Sequence, residues 1–467
     1  MESSMTVLLW FRRDLRLSDN PALSAALRCG RVIPVYVHAP EEEGAGAPGA
    51  ASRWWLDRAL TALDADLQAL GSRLVIRRGP TLEALIRLVR ETGAEAVFWN
   101  RLYEPALIER DRGIKASLKD AGLKVESFNA ALLHEPWQIL NRSGAAYRVF
   151  TPYWKACLAA GLDQAVEPAP ASLDPVPEAV TGEPVASLDL APRIAWDEGL
   201  RVTWRPGSGG AWARLDGFLK DVDGYADGRD RMDRDATSRL SPHLHFGEIG
   251  PREVVRALLS SAGNPDRPGP EAFLRELGWR EFTHYLLYHF PETVDAPLDR
   301  RFEAMPWRDA AEDLDAWQRG QTGIPVVDAA MRQLWHTGWM HNRARMIVAS
   351  FLTKNLLIDW RLGAAWFHDT LVDADLASNV AGWQWVAGSG ADAAPYFRVF
   401  NPLRQSEKFD PRGEYIRRWV PERSGMQAPA AFDPAVGALG YPRARVDLKA
   451  SRQRALDAFA RIRSPAP

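Results

Sequence analysis

Cysteine is nearly absent from this chain: Cys29 and Cys157 are the two in 467 residues. Two thiols cannot build a disulfide framework, a cysteine-rich zinc site or an iron–sulfur cluster, so a reducing cytoplasm is the expected location. Long apolar runs are missing too. None approaches the ~20 residues that a membrane helix needs. The Thr6–Phe11 run is too short for a signal-peptide core and has no basic flank before it. An excess of one charge is the third absence. With 58 Lys and Arg against 60 Asp and Glu, the net charge is −2, so a nucleic-acid partner requires a local basic surface. Two phosphate-binding signatures are also lacking. Phe11-Arg-Arg-Asp-Leu-Arg16 stands where a G-x-G-x-x-G would follow the first strand, and there is no G-x-x-x-x-G-K-[ST] loop. His243-Leu-His245 has no third ligand at helical or loop spacing, so no metal is expected. No nucleophile elbow or Ser–His–Asp arrangement is evident.

Tryptophan, by contrast, is abundant. The chain has 19, and ten fall between Trp279 and Trp419. Such bulky, scarce residues cluster for packing or for electronic work, and packing accounts for most of them. The densest chemistry lies in Asp373-Ala-Asp375-Leu-Ala-Ser-Asn379-Val-Ala-Gly-Trp383-Gln-Trp385. As a helix it would align Asp375, Asn379 and Trp383 on one face. Carboxylates, an amide and an indole suit a large redox-active aromatic cofactor. On this segment alone, a buried helix with salt-bridged acids reads equally well.

A chain this long exceeds one typical core. Short apolar or β-branched runs at Thr6–Phe11, Arg31–His38, Arg73–Arg78, Ala96–Trp99 and Lys124–Phe128 are interleaved with amphipathic stretches such as Arg53–Leu70 and Thr81–Thr92. That alternation predicts an α/β domain with a parallel, Rossmann-like sheet over residues 1–135. Between about Gln164 and Gly210 the composition turns to Pro, Ala, Glu, Asp, Ser and Gly. We read 136–210 as a connecting segment and long surface linker. Residues 211–467 carry helical patterns, among them Pro251–Leu259, Glu271–Tyr288, Val326–His336, Arg343–Leu357 and Ala364–Leu371.

Three constellations in the helical half carry chemistry. Thr237-Ser-Arg-Leu-Ser-Pro242 places hydroxyls and a guanidinium before a predicted helix, where they could hold phosphate oxygens or simply cap. Glu276, Trp279 and Arg280 share one helix face, as do Asn342, Arg345 and Met346 on another. Together the two faces can line a pocket for a flat, hydrogen-bonding substrate. Arginines and lysines at 229, 231, 234, 239, 343, 345, 354, 398, 404 and 408 supply local basic density beside Trp279 and Trp385.

Asp-x-Asp-Leu-x-x-Asn-x-x-x-Trp-Gln-Trp, Thr-Ser-Arg-Leu-Ser-Pro, Glu-Leu-x-Trp-Arg-Glu-Phe and Gly-Trp-Met-His-Asn-Arg occur in one order. Together they resemble the photolyase/cryptochrome family from Leu9 to about Trp419. Pro40-Glu-Glu-Glu-Gly and Ala51-Ser-Arg-Trp-Trp resemble the branch of plant cryptochromes and class III bacterial photolyases. The resemblance implies an all-α C-terminal domain holding a bent FAD, joined by a long loop to the α/β domain. It implies flavin contacts from Tyr225, Thr237, Ser238, Arg239, Leu240, Ser241, Phe273, Arg280, Asn342, Arg345, Asp373, Asp375 and Asn379, with Asn379 facing N5. An Asp373–Arg345 ion pair is expected among them.

The activity implied is that of a deoxyribodipyrimidine photo-lyase, a carbon–carbon lyase. Photoexcited reduced FAD gives an electron to a cyclobutane pyrimidine dimer in DNA, the ring splits and the electron returns. Glu276, held protonated by burial against Trp279, would stabilise charge developing on the dimer carbonyls. Asn342 and Met346 would contact the flipped-out dimer, Trp279 and Trp385 would stack on it, and Arg229, Arg343 and Gln405 would hold DNA. Trp383, Trp360 and Trp307 match the family's electron relay. A signalling cryptochrome and a (6-4) photolyase are the competing readings. Asn379 and the Glu276–Trp279 pair oppose the first, and Met346, in place of a histidine, opposes the second. The antenna implied is 5,10-methenyltetrahydrofolate, or else 8-hydroxy-5-deazaflavin, with Glu109, beside Ile108, a candidate ligand. UV-damaged DNA is the partner implied, with no membrane, no obligate protein partner and a monomeric state.

Overall fold

The computed structural model describes residues 5–162, 165–262, 266–393 and 397–463. Met1 to Ser4, and Gln164 at the start of the expected linker, lie outside them. Five strands, β1 (Met5–Phe11), β2 (Gly30–His38), β3 (Val75–Arg78), β4 (Ala96–Asn100) and β5 (Lys124–Phe128), form one parallel sheet in the order β3-β2-β1-β4-β5. β1 is central because Val7-Leu-Leu-Trp-Phe11 is apolar on both faces, and all five side chains are buried. The amphipathic stretches form the helices Ala50–Ala69 and Thr81–Thr92. The helix Thr81–Thr92 ends at Gly93, whose φ of 67° a side chain would resist.

Strand order reverses between β1 and β4, where such sheets usually leave a ligand crevice. Here charged side chains fill it. Arg12 pairs with Asp111 at 2.5 Å and also donates to the Asn100 carbonyl, while Arg13 pairs with Glu104 at 2.5 Å. The residues that stand in place of a glycine loop in sequence are thus engaged by protein groups at the crevice.

The expected surface linker is better described as a strap. Leu173, Val176, Val180, Leu188, Leu190, Leu200 and Trp204 are all buried. Its backbone is tied to the α/β part, with Leu173 N–H donating to Leu70 O at 2.8 Å and Glu183 N–H to Ile76 O at 3.1 Å. Periodicity fails there because the apolar residues fill gaps one at a time. Farther along, Phe246, Trp339 and Val372 from the helical half join the same core as β1 and the helix Ala50–Ala69. One continuous core therefore locks the two halves together.

In the helical half, Pro268–His289 is a helix of 22 residues. Pro325–Thr337, Trp360–Thr370 and Leu376–Ala387 pack with Asn342–Ser350 around a second large core. The stretch read as one helix over Arg343–Leu357 is in two parts. Its α-helix stops at Ser350, and Phe351–Leu356 continue as π-helical turns ending at Leu357, whose φ is 55°.

Candidate active site

Four helical segments and one loop converge on a cavity of about 610 Å³. The long helix Pro268–His289 contributes Glu276, Trp279 and Arg280, and the helix Asn342–Ser350 contributes Asn342, Arg343, Arg345 and Met346. From the loop 237–241 come Thr237, Ser238, Arg239, Leu240 and Ser241, with Tyr225 and Arg229 beside them. Asp373, Asp375, Asn379, Trp383 and Trp385 complete the wall. Thus residues scattered over 160 positions of sequence meet because helix periodicity aims each set inward.

Asp375 is not within its helix but caps it, accepting from Ser378 N–H at 2.8 Å. Its other oxygen faces two buried imidazoles, His284 Nε2 at 3.3 Å and His245 Nδ1 at 3.4 Å. Burial opposes the charge on Asp375, yet His284 and His245 outweigh it and hold the carboxyl well below its usual range. His284, buried but facing Asp375, is shifted upward; His245 is shifted downward by burial. Neither histidine figured in the sequence reading of the cofactor site. His284 gives no signal of its own, because its partner lies 91 residues away. His243 bonds Glu248 at 2.5 Å, so the His-x-His pair divides between two carboxylates. Among the described residues no group of three or more His, Cys, Asp or Glu could hold a metal ion.

The Asp373–Arg345 ion pair forms at 2.8 Å. The same Asp373 oxygen accepts from Ser241 Oγ at 2.6 Å, so that hydroxyl serves the carboxylate and is not free for a phosphate. No side chain caps the short helix Ser241–His245. Arg239, at φ 50°, pairs with Asp235 and lies over the Trp339 ring. Asn379 donates its amide to Ala364 O at 2.9 Å, which fixes its orientation on the wall. Arg280 donates to Ala131 O at 2.7 Å. Four buried polar atoms of this wall, Asp373 Oδ1, Arg239 Nε, Arg343 Nε and Trp383 Nε1, have no hydrogen-bond partner among the described residues. Unpaired buried groups cost about 1–3 kcal/mol each, so a polar, aromatic occupant such as a flavin dinucleotide fits this wall.

Phe273 departs from expectation. It is buried behind Tyr225 and Phe218, with centroids 5.6 and 4.6 Å away, and does not line the cavity. It props Tyr225, because its position on the long helix points into the core between these rings. Glu276 departs as well. It is paired with Arg229 at 2.5 Å rather than buried neutral against Trp279. Trp279 instead stacks on Phe150, which the sequence reading missed, with centroids 4.0 Å apart and planes at 7°.

Trp383 stands in the wall, with its ring against Gly363 of the helix that Trp360 begins. Any Cβ at residue 363 would come within 2.1 Å of that indole. Trp360 is as deeply buried as Trp383, and Trp307 is half-buried. The rings touching Trp383 are those of Phe367 at 5.0 Å and Trp317 at 6.1 Å. Gln405 is half-buried on the helix Pro402–Phe409, outside the cavity wall. Glu109 is an exposed carboxylate paired with Arg112 on the α/β surface.

The chain is similar to known proteins along most of its length. Residues 273–461 match the model for the FAD binding domain of DNA photolyase, and residues 7–175 match the DNA photolyase model. The chain is 47% identical over 474 residues to a deoxyribodipyrimidine photo-lyase of Agrobacterium fabrum, covering 98% of each. It is 39% identical to cryptochrome-2 of Arabidopsis thaliana over 489 residues, 99% of this chain and 80% of the relative. Among solved structures, a bacterial class III photolyase from Agrobacterium tumefaciens superposes with TM-score 0.95 at 45% identity, covering 99% of this chain and 98% of that one.

Proposed function

Since the chain belongs to the photolyase/cryptochrome family, we propose that it is a light-dependent deoxyribodipyrimidine photo-lyase that repairs cyclobutane pyrimidine dimers in DNA. One observation carries the reading. Glu276, Trp279, Asn342 and Met346, suited to a flipped-out pyrimidine dimer, line the same cavity as Asp373, Asp375 and Asn379, suited to FAD. Bound, reduced FAD would supply the electron that blue light sends into the dimer.

The chain's own residues do the rest. Arg345, Asp373 and Asp375 hold polar groups of the cofactor, and Thr237, Ser238 and Arg239 its phosphates. Asn379 would present the cofactor with an amide, which cannot ionise. Trp279 and Trp385 offer flat apolar faces to a dimer whose poor stacking lowers the cost of flipping it out. Glu276, once freed from Arg229, would offer its carboxyl group to the carbonyl oxygens, where charge develops. Arg343 and Gln405 meet the DNA strand. Trp383, Trp360 and Trp307 would offer an aromatic route along which an oxidised cofactor could be reduced.

Finer features belong to the same proposal. The antenna is 5,10-methenyltetrahydrofolate, with 8-hydroxy-5-deazaflavin the alternative. The chain acts as a cytoplasmic monomer without an obligate protein partner. Its parts are 1–135, 136–210 and 211–467. No described helix is long and apolar enough to cross a membrane.

The test is direct. Purified protein, chemically reduced and illuminated with blue light, should restore thymines in a dimer-containing oligonucleotide. If no thymine returns while reduced flavin is present, the enzyme reading fails.

A further inference from the structure

The two arginines expected to grip DNA each already hold a carboxylate. Arg229 Nη1 lies 2.5 Å from Glu276 Oε1, and Arg343 Nη2 lies 2.8 Å from Asp230 Oδ2. Arg229 and Asp230 are chain neighbours just after the short helix Tyr225–Gly228, so the two ion pairs stand side by side, and all four residues line the cavity. Ring contacts fix both cations in place. Arg229 lies over Tyr225 at 5.6 Å, and Arg343 over Phe409 at 4.3 Å. None of the four is fully buried; exposures run from 17 to 39%. Pairs that reach water in this way exchange partners more readily than fully buried ones. A backbone phosphate is a strong, bidentate-compatible competitor for a guanidinium.

Resting on the repair reading above, we propose that these pairs are an ionic latch, in which Arg229 keeps Glu276 from the base site until DNA phosphates take the arginines. Strand binding then releases Glu276 towards the flipped base, and Asp230 is the positioning residue that holds Arg343 in reserve. Two consequences follow from mass action. The free enzyme is weakened for undamaged DNA, because each phosphate contact must first displace a carboxylate. Glu276 also reaches the base site only when a strand is present, so backbone contact and base recognition are linked.

The latch can be read on undamaged DNA, where no repair chemistry enters. Anisotropy titrations of a labelled undamaged single strand over a salt series would compare wild type with Glu276→Gln, Arg229→Gln, the double variant and Asp230→Asn. Freeing one arginine should tighten binding several-fold at low salt and steepen the slope of log K on log salt by about 0.7, one single-strand phosphate. The gain from Glu276→Gln should vanish in the Arg229→Gln background, and Asp230→Asn should show its own gain through Arg343. An equal gain with and without Arg229 would mean a diffuse charge effect and overturn the latch, as would no gain in either carboxylate variant. Failure of the wild type to repair a dimer would instead remove the repair reading, whatever the undamaged strand does.

Discussion

The indole of Trp279 lies flat on the ring of Phe150, with centroids 4.0 Å apart and planes 7° from parallel. Phe150 is fully buried at the start of the helix Phe150–Ala160, its ring packed against those of Trp154 and Phe282. The wall that would stack on a flipped base is therefore the outer leaf of a core aromatic stack. Phe150→Leu keeps an apolar filler but removes the flat support. A lost aromatic pair is worth about 0.5–1.5 kcal/mol, so dimer affinity should fall about 2- to 10-fold while undamaged-DNA affinity holds. Parallel titrations with the two oligonucleotides check this.

Trp383 is the indole on the cavity wall, and Gly363 is the gap that accepts it. Trp383→Phe should abolish light-driven reduction of oxidised flavin but spare repair by chemically reduced protein. Absorbance at the flavin bands under illumination reads the first, and restored thymine the second. Survival of photoreduction would point to another aromatic route, for which Trp317 at 6.1 Å is the first candidate.

His341 caps the helix Asn342–Ser350 by accepting from Arg343 N–H at 3.1 Å, a role that needs a neutral ring. Burial, reinforced by nearby arginines, pushes its pKa down to about 4. A depressed histidine stabilises the fold fully above its unfolded value near 6.5, and that stability is lost as pH falls towards 4. The loss amounts to about 3 kcal/mol at the acid end. His341→Asn keeps a capping acceptor without the titration, so its Tm should decline less between pH 6.5 and 4 than that of wild type.

Asp373 holds Arg345 and Ser241 through one oxygen. Asp373→Asn leaves the guanidinium without its counter-charge, a change that costs about 3 kcal/mol in a buried pair. Most FAD should be lost on gel filtration, with circular dichroism preserved. Retention of flavin at wild-type levels would remove Asp373 from the cofactor site.

The strands and most helices were legible because their periodicities are local. The continuous run Val7–Phe11 announces a central strand, and Glu276, Trp279 and Arg280 announce a shared helix face. Most expected cavity residues were legible by resemblance, since long motifs fix identity at each position. Phe273 was misjudged because the motif position does not say which way its ring turns. The strap over 165–210 was misjudged because its buried leucines and valines follow no period. Phe150, His284 and His245 could not be found in advance, since each acts through a partner remote in sequence.

The sequence by itself determined the α/β-then-α order, the scarcity of thiols and of apolar spans, and the set of chemical groups available to a flavin and a damaged base. The tertiary structure alone decided which groups are already engaged. It ties Glu276 to Arg229, Asp375 to two imidazoles and Trp279 to Phe150. The physical reason is range. Side-chain periodicity is set within a few residues, whereas charge pairing and ring stacking depend on contacts between segments that only folding brings within a few ångströms.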